Sequence, residues 1–389
     1  MTDLNLTTEQ QQVIQHPIGN HARILAVAGS GKSTTLAYRI KHLIQEIGVP
    51  PTSIRVLMFN SLARQQFRKH LKRVGLPDDT QPEVHTFHSF SYKVIQEMTR
   101  IGVLPELIRF WIGDKEGLVW LTVNRAINNL EKRKLIPKGY GNPDEAITTI
   151  GLWKGTMLPP GRAGSNSSPY LPLIYEEFER LRLEKTALTF DDFIPLTVEL
   201  MEGNPAAQSK WCQGVRHVIV DEYQDINYGQ QRLIEALASD QADVTVVGDD
   251  DQTIYEWRGA RPNFIIQDFP EVFDNKPVQD YCLSRSFRFG PVIAQSAASL
   301  ITRNTQRVKK PLVAHQINKH GFVHVFNGGY DATKELTEEV IALLEVDRVP
   351  HTNIIVLGRL FAQLDNLESE FLAKEIPFRV ICPHNMYQS

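Results

Sequence analysis

Residues 26–33 read Ala26-Val-Ala-Gly-Ser-Gly-Lys-Ser33 and lie between a predicted strand and a predicted helix. Gly29 and Gly31 let this loop turn its backbone N–H groups toward a phosphate, and the start of the helix adds the positive end of its dipole. Lys32 is spaced to reach the β- and γ-phosphates of a nucleotide, and the Ser33 hydroxyl is spaced to bind Mg²⁺. The first glycine of the usual pattern is replaced by alanine. The flanking strand and helix, more than the bare pattern, therefore indicate a phosphate-binding loop.

Five short runs rich in β-branched residues predict buried strands, and helical patterns such as 34–47 and 61–74 separate most of them. The predicted strands are 22–27, 54–59, 83–87, 217–220 and 244–247. This alternation is typical of an α/β fold with a parallel sheet and helices on its faces. Ligands of such sheets bind beyond the carboxyl ends of the strands. We therefore expect one site built from several loops.

A second motif, Val218-Ile-Val-Asp-Glu-Tyr-Gln-Asp225, places two adjacent carboxylates at the end of an apolar strand. Asp221 can hold Mg²⁺ through its water shell while Glu222 polarises an attacking water, as phosphoryl transfer requires. Acidic residues at strand ends are also common as solvated surface. The upstream phosphate loop favours the catalytic interpretation.

The rest of the chain predicts an organisation in several segments. Residues 118–134 and 171–183 have helical patterns on either side of a Pro-, Gly- and Ser-rich stretch, which indicates an α-helical insertion. After residue 280 strand-like runs at 322–326, 353–357 and 378–381 alternate with helical runs at 331–344 and 361–374. The expected divisions are 1–89 and 186–279 for the two segments of the first α/β domain, 90–185 for the insertion, and 280–389 for part of a second α/β domain.

Composition excludes several classes of protein. The formal net charge of −3 argues against binding nucleic acid by bulk charge, so any such contact must be a local patch. No apolar run is long enough for a membrane span, and the first nine residues lack the basic and apolar regions of a signal peptide, so we expect a cytoplasmic protein. Cys212, Cys282 and Cys382 are widely spaced, which predicts reduced thiols.

The longest signature is Val247-Gly-Asp-Asp-Asp-Gln-Thr-Ile-Tyr-Glu-Trp-Arg-Gly-Ala260, which resembles motif III of UvrD/Rep-type superfamily 1 DNA helicases. Other stretches resemble motifs of this family in the same order. They are Leu6-Thr-Thr-Glu-Gln10 for the adenine-reading Q motif, Met58-Phe-Asn-Ser-Leu-Ala63 for motif Ia, Thr86-Phe-His-Ser89 for motif Ib, Asp221-Glu-Tyr-Gln-Asp225 for motif II and Leu283-Ser-Arg-Ser-Phe-Arg288 for motif IV. The resemblance implies a RecA-like P-loop domain with a helical insertion, followed by part of a second RecA-like domain.

The resemblance also implies a site for ATP and Mg²⁺. In it Gln10 reads the adenine and Phe287 stacks on the adenine ring. Gln252 couples the γ-phosphate to DNA. Arg288 is the arginine finger, and Glu222 is the general base that activates the water. The phosphate loop would supply Ala28, Gly29, Ser30, Gly31, Lys32, Ser33 and Thr34, with Ser33 and Asp221 at the metal. Taken singly, Gln10 and Phe287 would instead be a surface amide and a core aromatic.

For DNA, the resemblance implies that Phe59, Tyr255 and Trp257 stack on single-stranded bases, with His88 and Arg258 near the strand. The alternative for Tyr255 and Trp257 is core packing. Basic runs at 64–73, 132–134 and 303–310 either track phosphates or form solvated helix faces. His85 and His88 lack a cysteine or acidic neighbour, so a metal site there is disfavoured.

Two departures from the family pattern bear on function. Asn60, Ser61 and Leu62 replace the usual polar residues of motif Ia, and Phe287 stands where tyrosine is common. Neither motif V, Thr-x-His-x-x-Lys-Gly, nor the Arg-rich motif VI is found before Ser389. We expect the N-terminal part of an ATP-dependent 3′-to-5′ DNA helicase of repair or replication, acting on single-stranded and 3′-tailed duplex DNA and poorly active alone. The alternative is a truncated relative that binds ATP or single-stranded DNA without unwinding. A nucleotide kinase or generic P-loop ATPase would not explain residues 252–258.

Overall fold

The computed structural model describes residues 6–164, 168–239, 241–318, 321–325, 332–358 and 361–381. The chain divides after residue 321 into two compact units. Cys382 and two ends of predicted elements, Phe326 and Asp331, lie outside the described residues. Within the described ranges, no helix has both the length and the apolar character that a membrane crossing requires.

The first unit is built on a six-stranded sheet in which every pairing is parallel, in the order β3-β2-β6-β7-β1-β8. Its strands are β1 (His21–Ala26), β2 (Ile54–Met58), β3 (Glu83–Thr86), β6 (His217–Val220), β7 (Asp243–Gly248) and β8 (Val278–Leu283). The predicted parallel α/β sheet is confirmed, and each of the five predicted strands matches an observed strand to within one residue at either end.

Helices cover both faces of this sheet, so its inner strands are buried on both sides. Val218 and Val220 of β6 point into one core, which α4, α8 and α10 complete, whereas Ile219 points into the opposite core with α2 and α3. The helices of the first unit outside the insertion are α1 (Thr8–Ile14), α2 (Lys32–Gln45), α3 (Ser61–Arg73), α4 (Phe87–Arg100), α8 (Phe193–Gly203), α9 (Pro205–Trp211), α10 (Tyr228–Ala238), α11 (Phe269–Val272) and α12 (Pro291–Ile301).

The sixth strand, β8, is absent from the sequence prediction. It pairs with β1 along its whole length, from His21 opposite Val278 to Ala26 opposite Leu283. As an edge strand it is only partly buried and carries polar residues, so it lacks the apolar run that marks the other strands. The expected boundary between residues 279 and 280 falls inside β8, and the domain division remains a prediction.

The insertion packs around its own apolar core, formed by α5 (Gly117–Lys132), α6 (Pro143–Gly155) and α7 (Leu171–Glu184). The sequence predicts no strand between residues 90 and 185, and this is wrong at one place. The three-residue strand β4 (Arg109–Trp111) pairs in parallel with β5 (Ala187–Thr189). Three residues are too few to show an alternating pattern, so neither short strand is visible in the sequence.

Near its end, the first unit also contains a short parallel pair, β9 (Arg285–Ser286) with β10 (Val313–Ala314). The second unit has the two predicted helices, α13 (Ala332–Glu345) and α14 (Asp365–Ala373), packed through Val340, Leu367 and Phe371. The strands predicted at 322–326, 353–357 and 378–381 are wrong for the described residues, which carry no strand there. A strand needs a partner backbone, and no described residue pairs with these runs. Val325, Leu357 and Ile381 are more than four-fifths exposed.

Three buried histidines lie at the amino-terminal edge of the central sheet, around the Asp243 carboxylate. His21 accepts a hydrogen bond from the Val244 N–H at Nδ1 (2.9 Å). His16 Nδ1 lies 2.9 Å from the Tyr281 hydroxyl. Burial lowers the pKa of His16 and of His21, and it lowers the pKa of His217 to about 4, because the charged imidazole loses its solvation.

Protonation of these histidines should therefore destabilise this unit. Below about pH 6.5 the unfolded histidines take up protons while the folded ones remain neutral, so their contribution to stability is lost as pH drops toward the folded pKa values. We predict that the histidines contribute a fall of about 2 °C or more in the unfolding midpoint between pH 7 and pH 5, opposite in sign to the contribution of Asp221 and Asp225, whose pKa values burial raises. His217→Gln should reduce this fall, and substitution of exposed His351 by glutamine should not. Identical pH profiles for both variants and the parent would rule the explanation out.

Candidate nucleotide-binding site and aromatic surface

The phosphate loop follows β1 and its shape requires both glycines. Gly29 has φ of 73° and Gly31, the residue that caps α2, has φ of 81°, a region that favours glycine. A Cβ atom on Gly29 would lie 2.5 Å from Arg288 Cβ, and one on Gly31 would lie 2.8 Å from Gln10 Nε2. Ala28 and Ser30 complete the loop, and Lys32, Ser33 and Thr34 form the first turn of α2. The buried Ser30 hydroxyl has no hydrogen-bond partner among the described residues, which leaves it available to a ligand.

Gln10 is held against this loop. Its Oε1 accepts the Thr7 N–H (3.0 Å) and its Nε2 donates to the Ser30 carbonyl (3.2 Å). The Thr7 hydroxyl accepts the Gln10 N–H in return, so the pair forms a capping box at the start of α1. The side chain is buried, and the alternative of a surface amide is wrong.

The acidic motif meets the phosphate loop through a direct ion pair. Lys32 Nζ lies 2.7 Å from Glu222 Oε2. Glu222 has φ of 52° and ψ of 46°, a left-handed conformation that costs a non-glycine residue about 1 kcal/mol or more and is common at functional sites. Burial, with the nearby Glu222 charge adding to it, raises the pKa of Asp221 to about 7. Two carboxylates therefore lie side by side with the Lys32 ammonium as their nearby cation.

Gln224 joins the acidic motif to the motif III segment. Its Nε2 donates to Glu222 Oε2 (2.9 Å), and its Oε1 accepts the Asp249 N–H (3.0 Å). Asp249 Oδ2 in turn accepts a hydrogen bond from Gln252 Nε2 (2.5 Å). The Asp225 carboxylate accepts a hydrogen bond from the Ile254 backbone N–H, and burial raises the pKa of Asp225 to about 6. Sequence reasoning assigned Gln224 no role, although a buried amide beside two carboxylates in the motif was the available signal.

Phe287 and Arg288 reach the same loop from β9. The Phe287 N–H donates to the Gly29 carbonyl (2.8 Å), and one face of the Phe287 ring stacks on His315 with centroids 4.6 Å apart. Phe287 is half-buried against a neighbouring ring, so the core-aromatic alternative does not describe it. Arg288 is exposed, and within the described part of the chain it has no carboxylate partner. His315 is a neighbour that sequence reasoning missed.

A set of aromatic side chains lies on the segments that follow β2 and β7. Phe59 packs on Tyr255, with ring centroids 4.9 Å apart. The Trp257 residue is 63% exposed, and the Arg258 guanidinium lies 4.6 Å from the centroid of the Trp257 ring. Core packing is therefore wrong for Trp257.

A further ring pair joins α4 to the segment that follows β5. His88 stacks on Phe190 at 3.8 Å with nearly parallel planes, and burial lowers the pKa of His88 to about 4, which favours a neutral ring. Sequence reasoning missed Phe190, an exposed aromatic at the edge of the insertion.

Several polar residues considered for phosphate contact are already engaged. Arg307 and Lys310, in the third basic run, bind the carboxylates of Asp249, Asp250 and Asp251. In the first run, Arg68 and Lys72 pair with Asp78, and the Asn60 side chain caps α3 through the Ala63 N–H. The interpretation of residues 303–310 as a phosphate track is therefore wrong for Arg307 and Lys310.

Comparison with known proteins bears on the whole arrangement. The UvrD/REP helicase N-terminal domain matches residues 6–273. The chain is 28% identical to the ATP-dependent DNA helicase Rep of Buchnera aphidicola subsp. Schizaphis graminum, over 97% of this chain and 56% of that protein. It is 27% identical to the ATP-dependent DNA helicase PcrA of Leuconostoc citreum, over 99% of this chain and 50% of that protein. It is also 27% identical to a probable DNA helicase II homologue of Mycoplasma capricolum, over 97% of this chain and 52% of that protein. The chain thus spans about half the length of these relatives. Because the domain match covers the phosphate loop, both acidic segments and the aromatic surface, the chain belongs to the UvrD/Rep helicase family.

Proposed function

We propose that this chain binds ATP with Mg²⁺ and hydrolyses it in a cycle coupled to 3′-to-5′ movement along single-stranded DNA, as the nucleotide-binding part of a helicase that opens 3′-tailed duplexes. One observation carries the proposal. A continuous set of polar contacts runs from Lys32 through Glu222, Gln224 and Asp249 to Gln252, and Gln252 lies three residues before Tyr255. The proposed ATP site and the proposed DNA surface are thus joined by directly bonded groups.

The Lys32–Glu222 pair explains how phosphate binding would prepare the reaction. Lys32 is only 12% exposed in its side chain, so its charge needs a partner, and Glu222 supplies one. A γ-phosphate in the loop would attract the ammonium more strongly than one carboxylate does, because it carries more charge and more acceptor oxygens. Glu222 would then be released to accept a proton from the attacking water.

The residues present fit a magnesium ion. Asp221 is a fully buried carboxylate beside a second negative charge, and its raised pKa reports that this charge is poorly compensated by the protein alone. The Asp221 carboxylate and the Ser33 hydroxyl would hold the ion, since oxygen ligands are those that Mg²⁺ prefers. Bound there, it would supply charge neutralisation on the phosphate oxygens.

The adenine would lie against α1 and the β9 segment. Gln10 keeps one amide hydrogen beyond its bond to Ser30, and Phe287 has one ring face on His315 and a second face for a base. Arg288, whose Cβ touches the loop at Gly29, would neutralise charge that grows on the γ-phosphate.

The aromatic surface suits a motor that reads no sequence, because every base has a π-face. Phe59, Tyr255 and Trp257 would stack bases directly, with Arg258 near the strand. The His88–Phe190 pair would extend this track toward the insertion. A neutral His88 stacks without placing a fixed charge in the groove.

Removing the proposed base should separate ATP binding from hydrolysis. Glu222→Gln should retain ATP binding, because it frees Lys32, and should slow phosphate release by about a hundredfold or more. Lys32→Ala should abolish turnover. The measurement is steady-state phosphate release with and without single-stranded DNA, with Glu271→Gln, an exposed carboxylate, as the control. Parental turnover by Glu222→Gln would show that another group activates the water.

Removing the exposed indole should weaken DNA binding without unfolding the protein. Trp257→Ala should cost about 1–3 kcal/mol of affinity for single-stranded DNA. Its unfolding midpoint should stay close to that of the parent, since little buried area is lost. Fluorescence anisotropy with a labelled oligothymidine checks this, beside Trp120→Ala, which removes another exposed indole. Equal losses of affinity in the two variants would contradict the assignment.

A further inference from the structure

Three consecutive carboxylates, Asp249, Asp250 and Asp251, follow β7, and an internal cation lies among them. Lys310 Nζ is 3.0 Å from Asp249 Oδ1 and 2.8 Å from Asp251 Oδ2, and it also contacts Asp250. Arg307 binds Asp251 through two parallel hydrogen bonds of 2.7 Å. We call these five residues the motif III clamp.

The clamp is buried where charge is costly. The Lys310 side chain is 1% exposed and that of Asp250 is fully buried. The Val308 N–H donates to Asp250 Oδ2 (2.7 Å), so the backbone of the 307–310 segment is fixed as well. Adjacent buried carboxylates repel one another unless cations compensate them, which makes Lys310 and Arg307 necessary partners.

One carboxylate connects the clamp to the proposed catalytic amide. The Asp249 Oδ1 atom contacts Lys310 Nζ, and its Oδ2 accepts a hydrogen bond from Gln252 Nε2. Oδ1 also accepts the Asp251 N–H at 3.3 Å, and the Asp249 N–H donates to Gln224 Oε1. Without the ammonium, Oδ1 keeps only the long bond from the Asp251 N–H, so the carboxylate and the Gln252 amide bound to it are held less firmly.

We propose that Lys310, assisted by Arg307, is a positioning residue that holds Gln252 between the nucleotide loop and the aromatic surface through Asp249. This deepens the proposed function and rests on it for the role of Gln252. The segment that carries Lys310 thereby sets how strongly DNA stimulates hydrolysis, without touching ATP or DNA itself. The sequence signal for this segment was only a basic run.

The test compares Lys310→Met, Lys310→Arg and Lys309→Met in the full chain. Lys309 is the exposed neighbour, so its substitution removes the same charge without touching the clamp. Hydrogen exchange of the peptide spanning residues 249–258 should be about tenfold or more faster in Lys310→Met, close to the parent in Lys309→Met, and partly restored in Lys310→Arg. Because hydrogen exchange is measured without ATPase activity, it tests whether Lys310 orders residues 249–258 even if the proposed function is wrong.

The second arm is a double-mutant cycle with Gln252→Ala. If Lys310 acts through Gln252, DNA stimulation of phosphate release should fall about tenfold in Lys310→Met and fall no further in the double variant than in Gln252→Ala alone. Additive losses, or unchanged exchange at residues 249–258, would overturn the proposal. If Lys310→Met does not fold, Arg307→Gln replaces it in both experiments and is judged by the same outcomes. This substitution removes only the two hydrogen bonds to Asp251.

Discussion

The parallel direction of all six strands is the constraint on which the site depends. Strands that run the same way end at the same edge, so the loops after β1, β2, β3, β6 and β7 emerge together, and the position of β1 between β7 and β8 sets their order. The phosphate loop after β1 therefore has the motif III segment on one side and the segment leading to Phe287 and Arg288 on the other. Gly29 and Phe287, more than 250 residues apart in the chain, thereby become hydrogen-bonded neighbours.

Within that frame, the site is organised by buried polar contacts more than by apolar packing. Lys32, Glu222, Gln224, Asp249 and Gln252 each bond directly to the next. In a poorly solvated environment such groups respond to changes in their neighbours, because an unpaired partner is costly. In the proposed function, a change at Lys32 would reach Gln252 through these bonds, which is the property a motor needs if the bound nucleotide is to alter the affinity for a strand. The left-handed Glu222 fits the same view, since strain there is sustained by its partners.

Sequence reasoning predicted the parts of the fold that rest on strong local pattern. The five strands with continuous apolar runs and the long helices of the insertion were visible, as was the phosphate loop, because residue type and spacing alone encode them. The sequence-based prediction failed where contacts with distant parts of the chain decide the local structure. The edge strand β8 carries polar residues, β4 and β5 are too short to show a period, and the apolar runs at 353–357 and 378–381 have no paired backbone in the described chain. The roles of Gln224, Phe190 and Lys310 depend on what they touch, and no spacing in the sequence reveals a contact across 60 residues.

In the proposed function, α1, the loop after β1 and the β9 segment form one nucleotide pocket, with the adenine between Gln10 and Phe287. Photo-crosslinking with 2-azido-ATP, which carries its reactive group on the adenine, followed by peptide mapping tests it most directly. We expect label on the peptides that contain residues 7–12 and 284–290, with protection by excess ATP. Label concentrated elsewhere, such as on the groove in the insertion lined by Arg109, Lys115 and Lys185, or labelling that ATP does not suppress, would contradict this assignment.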